Sequence, residues 1–260
     1  MIRILEDVAR KCGNLLAKIR MRSSDLGAEN KDESLGAHFA TEGDRRSQEL
    51  GIRLIHAQMP EELVIAEEQA NASSVPPNCT VFDPCDGTTI YYNNYSEFGV
   101  TLCTLRDGRP YAGVMYFPKD GTMISAVRTH GCFMKGKRIR LRHDRPLDKT
   151  VIGTDIGPWT IHSVLEPLSQ RFCMRSSLAA IHGFRELLRG QSGAYYSLNI
   201  AKIWDVAAGA LAVQEAGGIV CGPDGQPLQW NSLRMDWIAA ANQQLAECVL
   251  AETRKWKGRT

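Results

Sequence analysis

One stretch constrains this chain more than any other: Val81-Phe82-Asp83-Pro84-Cys85-Asp86-Gly87-Thr88-Thr89. Val81 and Phe82 read as the end of a buried strand that delivers Asp83 and Asp86, three positions apart, into a tight turn. Pro84 fixes φ there, and Gly87 permits a backbone conformation or a close approach that other side chains would block. Two carboxylates presented together repel unless a cation lies between them, and hard oxygen ligands suit Mg²⁺ or Mn²⁺. The hydroxyls of Thr88 and Thr89 follow, and the backbone amides after Gly87 are placed to hold an anion. The stretch therefore reads as a metal and phosphate site, against the plainer alternative of an Asp-Gly turn between two strands.

At 260 residues the chain can bury a substantial core, as one large α/β domain or as two coupled halves. A net charge of +2 gives no global case for a nucleic-acid or acidic partner. No apolar run approaches membrane-spanning length, and charge in every turn of the first residues argues against a signal peptide. Eight cysteines are scattered with no Cys-x-x-Cys pair, several in apolar contexts such as Cys79 and Cys103. They read as reduced core thiols of a cytoplasmic protein, not as a disulfide framework or a zinc site.

Along the chain, Ile4, Leu5, Val8, Cys12, Leu15, Leu16 and Ile19 fall at helical spacing, so an amphipathic helix opens the fold. Residues 20–38 are polar and Gly-containing and predict a loop. Thr41-Glu42-Gly43-Asp44 precedes a second helix that ends near Pro60, and Leu63 to Ala66 is a short buried strand with Glu67-Glu68 at its mouth. Residues 70–78 predict another loop. Four apolar runs between Phe98 and Leu141, parted by turns such as Asp107-Gly108 and Asp120-Gly121, predict an antiparallel sheet. Lys135, Lys137, Arg138, Arg140, Arg142 and Arg145 form a basic run, read as a solvated hairpin face. A second half begins near Val151 and alternates strand and helix as far as Trp204-Asp205. An Ala-rich helix from Val206 to Glu215, two late strands and a closing helix from Gln243 complete the chain. By itself, Asp205 reads as the N-cap of the Ala-rich helix.

Three motifs, in this order and spacing, carry a resemblance: Ala66-Glu67-Glu68, Asp83-Pro84-Cys85-Asp86-Gly87-Thr88-Thr89, and Trp204-Asp205-Val206-Ala207-Ala208-Gly209 with Glu215-Ala216-Gly217-Gly218. Together they resemble the inositol monophosphatase family of magnesium-dependent, lithium-sensitive phosphatases, over nearly the whole chain. The resemblance implies an α/β (α+β) fold of alternating helix and sheet layers, with an N-terminal half over 1–147, a C-terminal half over 148–260 and the site between them. It also implies a homodimer and a Mg²⁺ cofactor of two or three ions, with Mn²⁺ as an alternative. Glu67, Asp83, the backbone carbonyl of Cys85, Asp86 and Asp205 would be the metal ligands, with Glu68 behind them. Asp44 and Thr88, with Glu67, would activate the attacking water, and Gly87 and Thr88 would hold the phosphate.

The departures from the family pattern fall on substrate choice. Ile90 stands where the family usually has Asn, and Leu178-Ala179 where it commonly has Gly-Thr after Ser177. Ser197 stands after Tyr195-Tyr196 in place of a glutamate that binds substrate hydroxyls, and Glu33 stands where a lysine is often found, with Lys31 nearby. The expectation is a phosphomonoesterase acting on a small polyol or sugar phosphate, with Ser177 and Ser197 on the substrate side. Its alternatives within the enzyme class are a histidinol-phosphate phosphatase, a fructose-1,6-bisphosphatase and an adenosine 3′,5′-bisphosphate nucleotidase. Outside that class, the alternative is a regulatory binding protein on a phosphatase fold.

Overall fold

The computed structural model describes residues 1–22, 25–31, 39–69 and 74–256. Glu33, part of the early loop over 20–38 and part of the loop over 70–78 lie outside the described residues. Helix α1 (Ile2–Arg22) buries Leu5, Val8, Cys12, Leu16 and Ile19 along one face, as their spacing requires. A two-stranded ribbon of β1 (Glu29–Asn30) and β2 (Phe39–Ala40), not foreseen within the early loop, leads into α2 (Glu42–Gln58). β3 (Val64–Ala66) runs parallel to β4 (Cys79–Asp86), and the short helix α3 (Thr88–Tyr92) follows.

β5 (Gly99–Arg106), β6 (Arg109–Phe117), β7 (Thr122–Val127), β8 (Gly131–Met134) and β9 (Lys137–Ile139) continue antiparallel. They complete a seven-stranded sheet in the order β3-β4-β5-β6-β7-β8-β9. The expected strand over Ile139 to Leu141 is shifted back to Lys137–Ile139, because it pairs with β8 across a turn at Lys135 and Gly136 with positive φ at both positions. The basic run is thus partly this hairpin, with Lys137 and Arg138 exposed.

The rest of the chain alternates β10 (Val151–Thr154), α4 (His162–Ser169), β11 (Cys173–Arg175), α5 (Ala180–Leu188), β12 (Ala194–Ser197) and α6 (Ile203–Glu215). It closes with β13 (Ile219–Cys221), β14 (Trp237–Ala240) and α7 (Gln243–Thr253). These strands form a five-stranded sheet in the order β11-β10-β12-β14-β13, parallel at β10 and antiparallel around β14.

Sheet periodicity decides how the layers stack. Tyr116 of β6 lies against Gly13 of α1, whereas Gly113, an odd number of positions away, lies against Ala208 of α6. α1 and α2 therefore cover one face of the large sheet and α6 the other. α6 also packs on α5, β13 and β14, while α7 packs on β12 and β14 with α4 beside it. Apart from Asp205, every residue of α6 from Ile203 to Val213 is buried, which a helix sandwiched between two sheets requires. The chain thus folds as alternating layers of helix and sheet.

Two side-chain bonds tie this framework together where the acidic motifs meet. Ser47 of α2 donates to the carbonyl of Pro84 at 2.9 Å. Thr101 sits opposite Asp83 in the β4–β5 register and donates to the carbonyl of Trp204 at 2.8 Å. The cysteines are free thiols; Cys173 is exposed and Cys248 half-buried, so the expected core placement holds for the other six and not for these two.

At the centre of the second half Phe184, Tyr195 and Trp237 interlock, with the Phe184 and Trp237 rings stacked at 4.6 Å. Gly209 of α6 makes room for them: a Cβ there would lie 2.1 Å from the Phe184 ring. Gly209→Ala is therefore expected to destabilise the fold by about 1–3 kcal/mol through overpacking. The check is the urea unfolding midpoint of the variant, with the slope unchanged.

Candidate active site

β4 is buried along its whole length, which an eight-residue strand covered by helices on both faces demands. Phe82 points to α2, where it fills the space left by Gly51, so Asp83 points the other way, toward α6. The strand's pairing with β5 shifts between Asp83 and Asp86, where Pro84 can donate nothing to the ladder. That irregularity, followed by Gly87 at φ +91°, turns Asp86 toward the second half of the chain. A Cβ on residue 87 would come within 2.8 Å of Ala179, so glycine is required there on both counts.

The aspartates are held by backbone amides. Asp83 accepts from the amide of Cys85 at 2.8 Å, and Asp86 from that of Ile181 at 2.7 Å. Asp205 accepts from the amide of Lys202 at 2.6 Å. This last bond corrects the expectation for Asp205: it lies inside the first turn of α6, three residues after the N-cap Lys202, and reaches back to cap it. The helix begins at Ile203 because the apolar Ile203 and Trp204 continue its buried face.

Glu67 and Glu68 occupy a short 3₁₀ turn over Glu67–Gln69 at the end of β3. Lys31 bridges them, its Nζ 2.7 Å from Glu67 Oε1 and 2.6 Å from Glu68 Oε1. The Glu68 amide donates to Gln48 of α2 at 2.8 Å. Asp44 is wholly buried near the start of α2, where Thr41 caps the helix and bonds the Asp44 carboxylate in a reciprocal capping box. The other carboxylate oxygen of Asp44 accepts from the Thr88 hydroxyl at 2.8 Å, and Thr88 Oγ1 also lies 3.2 Å from the carbonyl of Cys85.

Lys31, Glu67, Asp83, Cys85, Asp86, Thr88 and Asp205 line one cleft of about 530 Å³ together with Gly87, Ser197, Lys202 and Asp155, while Asp44 and Glu68 are not part of its lining. Ser177 lies beside the cleft, buried, and donates to the carbonyl of Ala179 at 3.1 Å. Asp155, just after β10, was not anticipated. Its carboxylate accepts from Tyr195 Oη at 2.6 Å, and Ser177 Oγ lies 3.4 Å from it. The available signal was an acid directly following a short apolar strand, the same pattern that marked Glu67.

The electrostatics follow from crowding like charges in a place with little water. Burial, then Glu67, Asp86 and Asp205, push the Asp83 carboxyl well above its usual range. Burial and then Asp205 do the same for Asp86. Asp205 is pushed up to about 7 by burial and then by Glu67, and Glu68 to about 7 by burial and Glu67 against the pull of Lys31. Burial raises the Asp44 carboxyl too, opposed by its bonds from Thr41.

Among the described residues, no three acidic, histidine or cysteine side chains close into a ready coordination shell. The acids turn to amides and to Lys31 instead. Yet an all-oxygen set of mutually repelling carboxylates, each anchored through one oxygen, fits a hard divalent cation. Glu67, Asp83, Asp86, Asp205 and the carbonyl of Cys85 could hold it, with Lys31 displaced from Glu67.

The model of the inositol monophosphatase family matches residues 1–257. The chain belongs to that family. It is 31% identical over 233 residues to the Nus factor SuhB of Pasteurella multocida, covering 85% of this chain and 84% of that one. It is 29% identical over 232 residues to human inositol monophosphatase 1, covering 82% and 81%. A solved IMPase/NADP phosphatase complexed with Mg²⁺ and phosphate superimposes with a TM-score of 0.81 at 21% identity, over 95% of this chain and 92% of that one. No helix among the described residues is long and apolar enough to cross a membrane.

Carboxyl groups raised by folding favour the native state at low pH, and this contribution is lost as pH rises toward about 7. A bound divalent cation reverses the effect, because it competes with protons for the same oxygens. Thermal melts should therefore show a larger Mg²⁺-induced rise in Tm at about pH 8 than at about pH 6. Metal at a hundred times its Kd should add about 2.7 kcal/mol at the higher pH.

Proposed function

We propose that the protein is a Mg²⁺-dependent phosphomonoesterase that splits a small phosphate ester into its alcohol and inorganic phosphate. The observation that carries this reading is the meeting of Glu67, Asp83, Asp86 and Asp205 in one cleft beside the Thr88–Asp44 hydrogen bond. None of the expected acids is missing.

Each residue has a physical role in this reading. A phosphomonoester dianion repels an incoming water oxygen, and the transition state spreads negative charge over the phosphoryl oxygens. Glu67, Asp83, Asp86, Asp205 and the Cys85 carbonyl would hold the cations, whose contribution when bound is to neutralise that charge and acidify the attacking water. Thr88 donates its hydroxyl proton to Asp44, so its oxygen lone pairs are left to accept from the attacking water and aim it at phosphorus. Asp44, desolvated and fixed by Thr41, is the terminal acceptor of that chain. The amides at Gly87 and Thr88 face the phosphate, and Ser197 and Ser177 lie on the alcohol side. Glu68 would tune Glu67 from behind, with Lys31 giving Glu67 up to the cations. A homodimer in the cytoplasm and sensitivity to lithium go with the family reading.

A second reading has its own support, since several relatives are called Nus factor SuhB. In that reading the fold serves as a regulatory binding protein, and the acid cluster is retained without turnover. The discriminating experiment is Mg²⁺-dependent phosphate release from a panel of esters, including inositol, histidinol, fructose and adenosine phosphates. Asp86→Asn and Asp205→Asn should each lower release at least about 10²-fold while circular dichroism stays native. Thr88→Val should cost about 10²–10⁴-fold by loss of water activation. Release unaffected by these changes, or none from any ester together with co-purifying transcription proteins, would remove the enzyme reading.

A further inference from the structure

One part of the cleft lining is built on a conformation that a leucine does not ordinarily adopt. Leu178 has φ +53°. An L residue with a branched side chain reaches this left-handed region only against steric opposition. The turn that imposes it is secured from below, where the Asp155 carboxylate accepts from the backbone amides of Ser177 and Leu178. Glycine would satisfy the same turn without strain, so the leucine is not there for the backbone. Its side chain lines the cleft and is 37% exposed.

Other apolar side chains line the same cleft. Ile156, itself 41% exposed, Pro158 and Trp159 come from the segment after β10, and Ile200 from the loop before α6. Among the described lining residues, few uncharged polar side chains are left to receive the hydroxyls of a polyol. The Asp155 oxygens are engaged by Tyr195 and Ser177, and Ser197 is 4% exposed. A ring alcohol bristling with hydroxyls would leave several of them without partners against this surface, which is costly. A flat or branched apolar group would bury area there at a gain.

We propose that this shelf selects phosphate monoesters whose alcohol carries a flat apolar face, such as a nucleoside or an aryl-substituted alkyl alcohol, over esters of fully hydroxylated rings. The proposal rests on the phosphatase reading for the reaction and adds the class of alcohol. Strain is maintained at Leu178 because its side chain forms part of the contact surface for the leaving group.

The test compares adenosine 5′-monophosphate and 2-phenylethyl phosphate with inositol 1-phosphate, all esters of alkyl alcohols. With Mg²⁺, kcat/KM should favour the first two by about tenfold or more, the worth of one well-buried apolar contact. Leu178→Gly should lower that preference about tenfold. Leu178→Asn, which tolerates positive φ and keeps the turn, should do the same. Inositol 1-phosphate hydrolysed as well as the other two, or a preference unmoved by both variants, overturns the shelf and leaves the phosphatase standing. Titration calorimetry with Ca²⁺ in place of Mg²⁺ repeats the comparison without turnover. If no ester is hydrolysed, the phosphatase reading falls, and the shelf stands only if adenosine 5′-monophosphate still binds about tenfold tighter than inositol 1-phosphate and Leu178→Asn erases the difference.

Discussion

The repulsion among Glu67, Asp83, Asp86 and Asp205 is the constraint around which this molecule is arranged. Four carboxylates share one cleft, and each raises the cost of ionising its neighbours. No local segment could hold them together, because a chain free to move would separate like charges. What holds them is the packing of two sheets against a common helix. The acids come from the ends of β3 and β4 on one side and from the first turn of α6 on the other.

The framework meets this load with hydrogen bonds placed close to the charges. Thr101 joins β5 to the carbonyl beside Asp205, directly across the ladder from Asp83. Ser47 joins α2 to the carbonyl of Pro84, between Asp83 and the turn. Amides of Cys85, Ile181 and Lys202 each fix one carboxylate, so side-chain positions are set by backbone already committed to the fold. A site built on strand ends and a helix start is stiffer than one carried on loops.

Much of this was legible in the chain before any coordinates. The buried strand and the turn at Gly87 were legible, although the strand does not end at Phe82 but carries both aspartates itself through an irregular pairing to Asp86, and helical spacing in α1 and α2 placed the first layer. Proximity of Asp205 to Asp83 could not be derived from either stretch alone, since it depends on how α6 crosses the large sheet; the family resemblance supplied it. The start of α6 was misplaced because an aspartate capping from within the helix and one preceding it look alike in sequence. β8 went unread because a four-residue strand that begins at Gly131 offers too little alternation. Asp155 was the largest omission on the substrate side, because a carboxylate satisfied by a turn leaves no pattern among residue types; Leu178 was visible as a departure from the family's glycine, but its positive φ was not.

The thiol of Cys85 has a further bearing on which ions such a cluster can keep. Its backbone oxygen faces Thr88, but its sulfur is buried, 1% exposed, among acids. Burial, and then the charge of Asp44 and Asp83, push the thiol far above its ordinary pKa. A protonated sulfur is a poor donor to zinc or copper, whereas a thiolate would capture them avidly and poison the centre. Burial first, and then the crowding of negative charge that invites a hard cation, thus disarm the soft sulfur in its midst.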